Sequence, residues 1–125
     1  MNAIQTNNAP AAIGPYSQAI RTGNLIFVSG QLPVDPATGQ FATGGIKELT
    51  RQSLTNMQHI LQEAGASMAD VVKTTVFLAD MADFSAMNEV YAEFFSEPFP
   101  ARSAVAVKTL PKQARVEIEC IAEVK

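Results

Sequence analysis

Several residue types on which enzyme chemistry often depends are scarce in this chain. Its 125 residues include one cysteine, one histidine and no tryptophan. A single cysteine excludes an internal disulfide framework, which is typical of a reducing compartment, so we expect a cytoplasmic location. A single histidine leaves too few residues for a histidine-dependent triad or a zinc site. Thr55 and Gln62 make the predicted helix polar around His59, which we therefore expect to face solvent.

The common cofactor-binding motifs are also missing. The sequence contains no GxxxxGK(S/T) loop, no GxGxxG after a strand and no CxxC pair. It therefore predicts neither a nucleotide cofactor nor a metal site. No apolar run approaches the roughly 20 residues that cross a bilayer. The amino-terminal residues lack the basic and apolar regions of a secretory signal, and we expect no contact with a membrane.

Charge of either sign is modest. Nine Lys and Arg residues are set against twelve Asp and Glu residues, which gives a net charge of −3. An acidic chain has little general attraction for the phosphates of nucleic acid, so we expect no nucleic-acid partner. The densest positive group is Lys108, Lys112 and Arg115, which we interpret as the solvated tip of a hairpin.

The overall amino-acid composition is typical of a folded domain. Hydrophobic residues make up 47% of the chain and charged residues 17%. No repeat, linker or low-complexity stretch interrupts it, and the length suffices for one hydrophobic core. We therefore expect a single domain over residues 1–125.

Two stretches have the hydrophobic periodicity of helices. Residues 46–64 form the first, and Gly65 suits a helix end. Its predicted buried face carries Ile46, Leu49, Ser53, Met57, Ile60, Leu61 and Ala64. Asp83 suits the start of a second helix, which Pro98 closes. The buried face of that helix carries Phe84, Met87, Tyr91, Phe94 and Phe95.

Five stretches have the pattern of strands. Residues 16–20 begin a short one, and residues 25–28 are apolar on both phases, which predicts a strand covered on both faces. Residues 70–80 are β-branched, and two more strands follow within residues 99–124. The order strand, strand, helix, strand, helix, strand, strand predicts an α+β fold with a mixed sheet and both helices on one face.

The last two strands, joined around TLPKQ, carry charged residues where a plain strand would carry Val or Thr. Arg102 begins the first strand, and Glu117 and Glu119 share one face of the second. The opposite face carries Val116, Ile118, Cys120 and Ala122. The thiol is therefore predicted to be a small core group rather than a nucleophile. Spacing alone is consistent both with solvent-exposed carboxylates and with a polar site.

Four segments together resemble the RidA family of reactive-intermediate (enamine/imine) deaminases, also called the YjgF family. They are NAPAAIGPYSQAI, SGQLPVDPATG, VVKTTVFLADMADFSAMNEVYAEFF and FPARSAVAVKTLPKQARVEIECIA. The resemblance covers nearly the whole chain, and PARS, LPK and VEIE arrive in the order and spacing of the family's signature. It implies a chorismate-mutase-like α+β fold and a homotrimer with three clefts between neighbouring subunits.

The resemblance also implies the residues of such a cleft. They are Tyr16, Ser29, Gly30, Asn88, Arg102 and Glu117. The implied reaction is hydrolysis of a small 2-imino acid, such as 2-iminopropanoate or 2-iminobutanoate, to a 2-keto acid and ammonia without a cofactor. Arg102 would bind the substrate carboxylate, and Glu117 would hold the water and move the proton. Tyr16 and Ser29 would position substrate or water.

The chain departs from the family pattern in two places. The position after PARS is often cysteine in the family and is Ala104 here, so no thiol is available there. Backbone amides near Gly30 and Ala104 remain as hydrogen-bond donors to the substrate. The segment SEPF, residues 96–99, is shorter than in some relatives, which implies a different pocket rim and substrate range.

Two other functions are left open by the sequence. A regulatory trimer that binds keto acids without turnover would need Arg102 but not Glu117. An endoribonuclease or translation inhibitor, suggested by older labels of the family, is disfavoured by the acidic charge and the single histidine.

Overall fold

The regular structure consists of two α-helices, eight strands and three single-turn 3₁₀ helices. A computed structural model describes residues 1–125. The strands are β1 (Asn2–Ile4), β2 (Ala19–Thr22), β3 (Leu25–Gln31), β4 (Val34–Asp35), β5 (Gln40–Phe41), β6 (Val71–Leu78), β7 (Ala101–Ala106) and β8 (Val116–Glu123). The helices are α1 (Ile46–Glu63) and α2 (Phe84–Phe94). The predicted order of the main elements is confirmed, although β1, β4 and β5 were not predicted and β2 begins only at Ala19.

Helix α1 forms where its periodicity predicts it. All seven positions predicted for its apolar face are buried. At its start, Glu48 Oε1 accepts a hydrogen bond from the Gly45 amide at 2.8 Å, which satisfies one of the free donors of a helix end. The chain leaves the helix at Gly65, whose φ of 83° favours glycine.

Helix α2 packs beside α1 on the same side of the sheet. Two exposed ion pairs join the helices, Lys47 to Glu89 at 2.6 Å and Arg51 to Glu93 at 3.0 Å. Asp83 precedes the helix as predicted, but its carboxylate makes no capping bond. It accepts instead from Arg115 Nη2 at 2.9 Å, because that guanidinium provides a charged donor.

The main sheet has six strands in the order β1-β2-β3-β8-β6-β7 and is mixed, as predicted. The β6–β7 pair is parallel, and the other pairs are antiparallel. The predicted hairpin of the last two strands is wrong, since β8 is inserted between β3 and β6 while β7 lies at the edge. The segment with Lys108 and Lys112 is therefore a crossover past β6 rather than a hairpin tip.

The core lies between the sheet and the helices. Strand β8 alternates buried and less buried residues, which confirms the predicted phase of Val116, Ile118, Cys120 and Ala122. Cys120 is 3% exposed, and burial is the main reason that the pKa of its thiol rises to about 12. A thiol with so high a pKa is a poor nucleophile at neutral pH, so Cys120 is a packing residue.

The face of the sheet away from the helices is open and partly apolar. Leu25 and Phe27 of β3 are 37% and 41% exposed, and Val105 of β7 is 45% exposed. The prediction that β3 is covered on both faces is therefore wrong for the single chain, because both helices pack against the opposite face. Neither helix is long and apolar enough to cross a membrane.

Candidate active site

A β-bulge in β3 brings Ser29 and Gly30 to the surface of the sheet. Val28 pairs with Cys120 and Gln31 with Ile118, so two residues of β3 face one residue, Glu119, of β8. A bulge bends the strand and redirects the residues next to it. Ser29 and Gly30 thus lie at an irregular point beside the two carboxylates of β8.

The carboxylate of Glu117 lies directly against Gly30. A Cβ atom added to Gly30 would be 2.5 Å from Glu117 Oε2 and 2.9 Å from its carboxyl carbon. Real Cβ atoms do not approach so closely, so the space next to the carboxylate exists because residue 30 has no side chain. The sequence resemblance implied both residues, and the structure brings them into contact.

The electrostatics of this carboxylate suit proton transfer. Glu117 is half-buried, and the pKa of its carboxyl is raised, mainly by burial and secondly by the negative charge of Glu119. A raised pKa moves a carboxyl toward the pH at which it can both accept and return a proton. Glu119 shares the face of Glu117 and lines the same groove, so the sequence correctly placed the two together.

Ser29 ties β3 to the amino-terminal segment. Its Oγ donates to the carbonyl of Ser17 at 2.6 Å, and its amide donates to the carbonyl of Gln18 at 2.9 Å. The hydroxyl proton is therefore engaged, and a substrate or water would donate to a lone pair of Oγ.

The amino-terminal strap, residues 5–18, forms one wall of an open groove of about 1260 Å³. Gln18 fixes the strap in place. The residue is 3% exposed, and its side-chain amide binds backbone groups of the strap. Oε1 accepts from the Thr6 amide at 2.7 Å, and Nε2 donates to the carbonyls of Thr6 at 3.1 Å and Pro10 at 2.8 Å. The sequence pattern did not single out Gln18, since one polar residue before a strand carries no periodic signal.

His59 provides a second tie. Its Nδ1 donates to the carbonyl of Asn8 at 2.8 Å, so a ring predicted to face only solvent is partly covered by the strap. The bond joins α1 to the strap. His59 is thus a structural contact and does not line the groove.

Tyr16 lies near the end of the strap and lines the groove with Ser29, Gly30 and Glu117. Its side chain is 55% exposed in the single chain. On another wall, Lys112 is held in the left-handed region at φ 56°, and so is Gln113 at φ 57°. Two successive residues in that region are strained, which is common at functional sites.

Arg102 belongs to a second group of residues, which faces α2. Its guanidinium carbon lies 4.6 Å from the centre of the Tyr91 ring and 5.5 Å from that of Phe84. Nη1 donates to Asn88 Oδ1 at 2.7 Å. Asn88 therefore orients Arg102 in this structure, and its amide nitrogen is left to reach other groups.

Ala104 lies on the same face of β7 as Arg102 and packs against the core. The Val107 amide donates to the carbonyl of Leu78, on the β6 side of the strand. Because amides alternate sides along a strand, those of Arg102 and Ala104 point to the free edge of the sheet. The Ala104 amide is thus unpaired within the chain and available to a ligand.

The two groups do not meet within one chain. Arg102 pairs with Thr74, whose side chain is buried under α2, whereas Glu117 pairs with Phe77 and points to the open face. Strand β6 lies between the strands that carry them. The structure thus brings together Tyr16, Ser29, Gly30 and Glu117, and separately brings together Asn88, Arg102 and Ala104.

No group of three or more His, Cys, Asp or Glu side chains is arranged to hold a metal ion. The polar side chains that line the groove carry carboxylates, hydroxyls and amides, together with the Lys112 ammonium group. Such a set can position water and exchange protons with a bound molecule.

A family model and several known proteins match most of this sequence. The model of the family described as Endoribonuclease L-PSP matches residues 6–124. A RutC family protein of Pyrococcus horikoshii is 58% identical over 119 residues, which are 95% of this chain and 94% of that protein. The 2-iminobutanoate/2-iminopropanoate deaminase of Capra hircus is 56% identical over 119 residues, with 95% and 87% covered.

The fold also matches a solved structure of similar sequence. The crystal structure of the YjgF gene product of E. coli superposes with a TM-score of 0.95 at 48% sequence identity. The match covers 100% of both chains. The α+β arrangement of two helices on a mixed six-stranded sheet is therefore shared with that protein.

Proposed function

The chain belongs to the RidA/YjgF family, which the L-PSP model describes, and on this premise we propose that it hydrolyses small 2-imino acids to 2-keto acids and ammonia. The observation that carries the proposal is the 56% identity, over 95% of the chain, with a 2-iminobutanoate/2-iminopropanoate deaminase. The candidate substrates are 2-iminopropanoate and 2-iminobutanoate, and the proposed location is the cytoplasm.

We propose further that the catalytic site is completed across a subunit boundary in a homotrimer. The separation of Arg102 and Glu117 onto opposite faces of the sheet supports this, because neither group alone provides both a carboxylate anchor and a proton carrier. The exposed apolar residues Leu25, Phe27 and Val105 also favour a partner on the open face. Three equivalent clefts would follow from cyclic symmetry.

Arg102 is proposed to bind the carboxylate of the imino acid. Asn88 occupies Nη1, which leaves Nε and Nη2 as a pair of parallel donors on one edge of the guanidinium. Two parallel N–H bonds fix the orientation of a carboxylate as well as its charge, which a lysine could not do. The substrate carbon of the C=N bond is then held at a set distance from the proton carrier across the cleft.

Glu117 is proposed to move the proton. The substrate enters as the protonated iminium ion, and the Glu117 carboxylate accepts a proton from water as the water oxygen bonds to the C=N carbon and the π electron pair moves to nitrogen, which becomes a neutral amino group. Glu117 then gives its proton to that nitrogen, and the C–N bond breaks with its electron pair on the departing ammonia. The remaining hydroxyl returns its proton to the Glu117 carboxylate and becomes the keto oxygen, and Glu117 releases that proton to solvent. The raised pKa of Glu117 makes its carboxylate a stronger base, which favours the transfer of the proton from water.

The other cleft residues are proposed to position the reactants. The Tyr16 hydroxyl and the free lone pair of Ser29 Oγ would orient water or substrate, and Gly30 gives the Glu117 carboxylate its space. The unpaired amide of Ala104 adds a donor at the free edge of β7. In the proposed reaction water is the nucleophile and Glu117 carries the proton, with no metal or organic cofactor assigned a step, and Ala104 supplies no thiol.

The test generates 2-iminobutanoate in situ and follows 2-ketobutanoate release against the uncatalysed rate. The wild-type protein should accelerate release, and Glu117→Gln should lower kcat by about 100-fold or more while still binding 2-ketobutanoate. If wild type gave no acceleration but bound the keto acid, the chain would be a binding protein and the enzymatic proposal would be wrong. An RNA substrate in the same assay should remain intact.

A further inference from the structure

We infer that Tyr91, through its hydrogen bond to Thr74, is a positioning residue that holds the Arg102 guanidinium in the orientation for binding a carboxylate. The inference rests on the proposed function, because it gives Arg102 its task. It concerns a residue that the sequence pattern assigned only to the apolar face of α2.

Tyr91 is fixed at both ends of its ring. Its hydroxyl and Thr74 Oγ1 share a buried hydrogen bond at 2.7 Å. The ring also packs against Phe95, with centroids 4.6 Å apart and planes tilted by 37°. With 5% of its surface exposed, the side chain has no freedom to tilt without breaking one of these contacts.

The face of this fixed ring supports Arg102. The guanidinium carbon lies 4.6 Å from the ring centre, which is within the range of a cation–π interaction. Thr74, which anchors the hydroxyl, is also the residue paired with Arg102 across β6 and β7. The backbone of Arg102 thus pairs with Thr74, Thr74 binds the Tyr91 hydroxyl, and the Tyr91 ring contacts the Arg102 guanidinium.

Packing alone does not explain the hydroxyl. A phenylalanine would fill the same space without a buried polar group that needs a partner. The bond to Thr74 gives the ring one defined tilt, and Asn88 fixes the rotation of the guanidinium on that ring through Nη1. Together they leave Nε and Nη2 without a hydrogen-bond partner within the chain, as a two-pronged donor for a carboxylate. The pKa of Tyr91 is raised by burial, so the phenol stays neutral and keeps its hydrogen bond at working pH.

The test uses the double variant Tyr91→Phe/Thr74→Val, which removes both partners of the hydrogen bond and keeps the shape of the core. Replacing both partners by apolar groups is nearly neutral for stability, whereas either single change strands a buried polar atom. Thr50→Val is the matched control, because Thr50 is fully buried and its Oγ1 has no partner. Thr74→Ser, which keeps the hydroxyl, is the conservative rescue.

For the double variant we expect KM for 2-iminobutanoate and the Kd for 2-ketobutanoate to rise roughly 3- to 10-fold, with kcat changed less. Thr50→Val and Thr74→Ser should stay within about twofold of wild type. The ¹⁵N signal of Arg102 Nε should show faster rotation of the guanidinium in the double variant. Comparable melting temperatures of all variants would show that the fold is kept.

The decisive comparison repeats the double variant in an Arg102→Ala background. If Tyr91 acts through Arg102, the pair of changes should cause no further loss of keto-acid binding there. A loss of the same size in both backgrounds would overturn the inference and leave the proposed function standing. If Arg102→Ala alone left binding unchanged, the carboxylate role of Arg102 and this inference would both be wrong. Should the double variant not fold, Tyr91→Phe alone in the two backgrounds gives the same comparison.

Discussion

At residue 30 any side chain would occupy the space of the Glu117 carboxyl group. Gly30→Ala should therefore displace that carboxylate and lower kcat at least about tenfold, because proton transfer depends on its position. Circular dichroism and melting temperature should stay close to wild type, since the displaced group is the far end of a flexible side chain. The measurement is steady-state deamination of 2-iminobutanoate.

The matched control for this change is Gly45→Ala. A Cβ at Gly45 would meet only Glu48 Oε1, at 3.8 Å, which is ordinary contact. That variant should keep wild-type kcat. If Gly30→Ala were as active as the control, the contact between Gly30 and Glu117 would have no part in catalysis.

The charge of Glu119 offers a second test at the residue scale. It helps to raise the pKa of Glu117. In the proposed mechanism the ionised form of Glu117 accepts a proton from water. Activity is lost as the pH falls through this raised pKa, so Glu119→Gln, which lowers the pKa, should move the acid limb of kcat/KM to lower pH. The acid limb should stay at higher pH than that of a free glutamate, because burial is the larger cause of the raised pKa and remains in this variant.

Glu123→Gln is the control for the pH profile. Glu123 is on the same face of β8 but at the other end of the strand, opposite Leu25. Replacing Glu123 with Gln removes one negative charge and should leave the acid limb of kcat/KM at the same pH. A limb that moved equally in both variants would reflect net charge, and one that moved in neither would contradict the role of Glu117.

At the scale of elements, the amino-terminal strap depends on one side chain. Gln18→Met keeps the bulk of residue 18 but removes its hydrogen bonds to the strap. The stranded backbone groups should lower the free energy of unfolding by about 1–3 kcal/mol, measured by urea denaturation at one protein concentration. KM should rise as well, because the strap carries Tyr16.

The comparison for that variant is Arg51→Gln, which breaks the exposed ion pair with Glu93. Exposed pairs contribute little, so its effect on the free energy of unfolding should stay below about 1 kcal/mol. Equal effects of the two variants would show that the strap is not held by Gln18.

The elements with a strong local signal were predicted well from the sequence. Helix α1 repeats its apolar face over five turns, and the alternation along β8 placed Cys120 correctly in the core. The short strand β1 was missed, because three residues carry no readable period. The insertion of β8 between β3 and β6 was also missed, since strand pairing depends on contacts between residues far apart in the chain.

The site was harder to predict from the sequence than the fold. Alternation put Glu117 and Glu119 on the face away from the core, where carboxylates usually meet solvent, and only the resemblance to a family indicated a cleft. Tyr91 and Gln18 were not singled out, because their roles come from partners such as Thr74 and Thr6 that lie distant in sequence. No spacing rule predicts such pairs.

At the scale of the whole molecule, one chain presents the residues of the proposed site in two separate groups. Tyr16, Ser29, Gly30 and Glu117 line the groove of the open face. Arg102 of β7 lies with Asn88 of α2 on the face that carries the helices. The open face also leaves Phe27 and Val105 exposed, which a partner subunit would cover. A trimer that joins unlike halves of neighbouring chains would both bury this surface and complete three sites.

The most direct measurement of this central claim mixes two inactive variants. Arg102→Ala and Glu117→Gln chains, carrying different affinity tags, are unfolded together, refolded and purified through both tags, with tagged wild-type chains treated in the same way. Each variant alone should be nearly inactive. If each site takes Arg102 from one subunit and Glu117 from its neighbour, every mixed trimer that carries both tags contains one intact cleft of three, so activity should return to about one third of the wild-type value. Mixed oligomers that stay as inactive as the separate variants would contradict the shared site, because a site contained in one chain cannot be repaired by its neighbour.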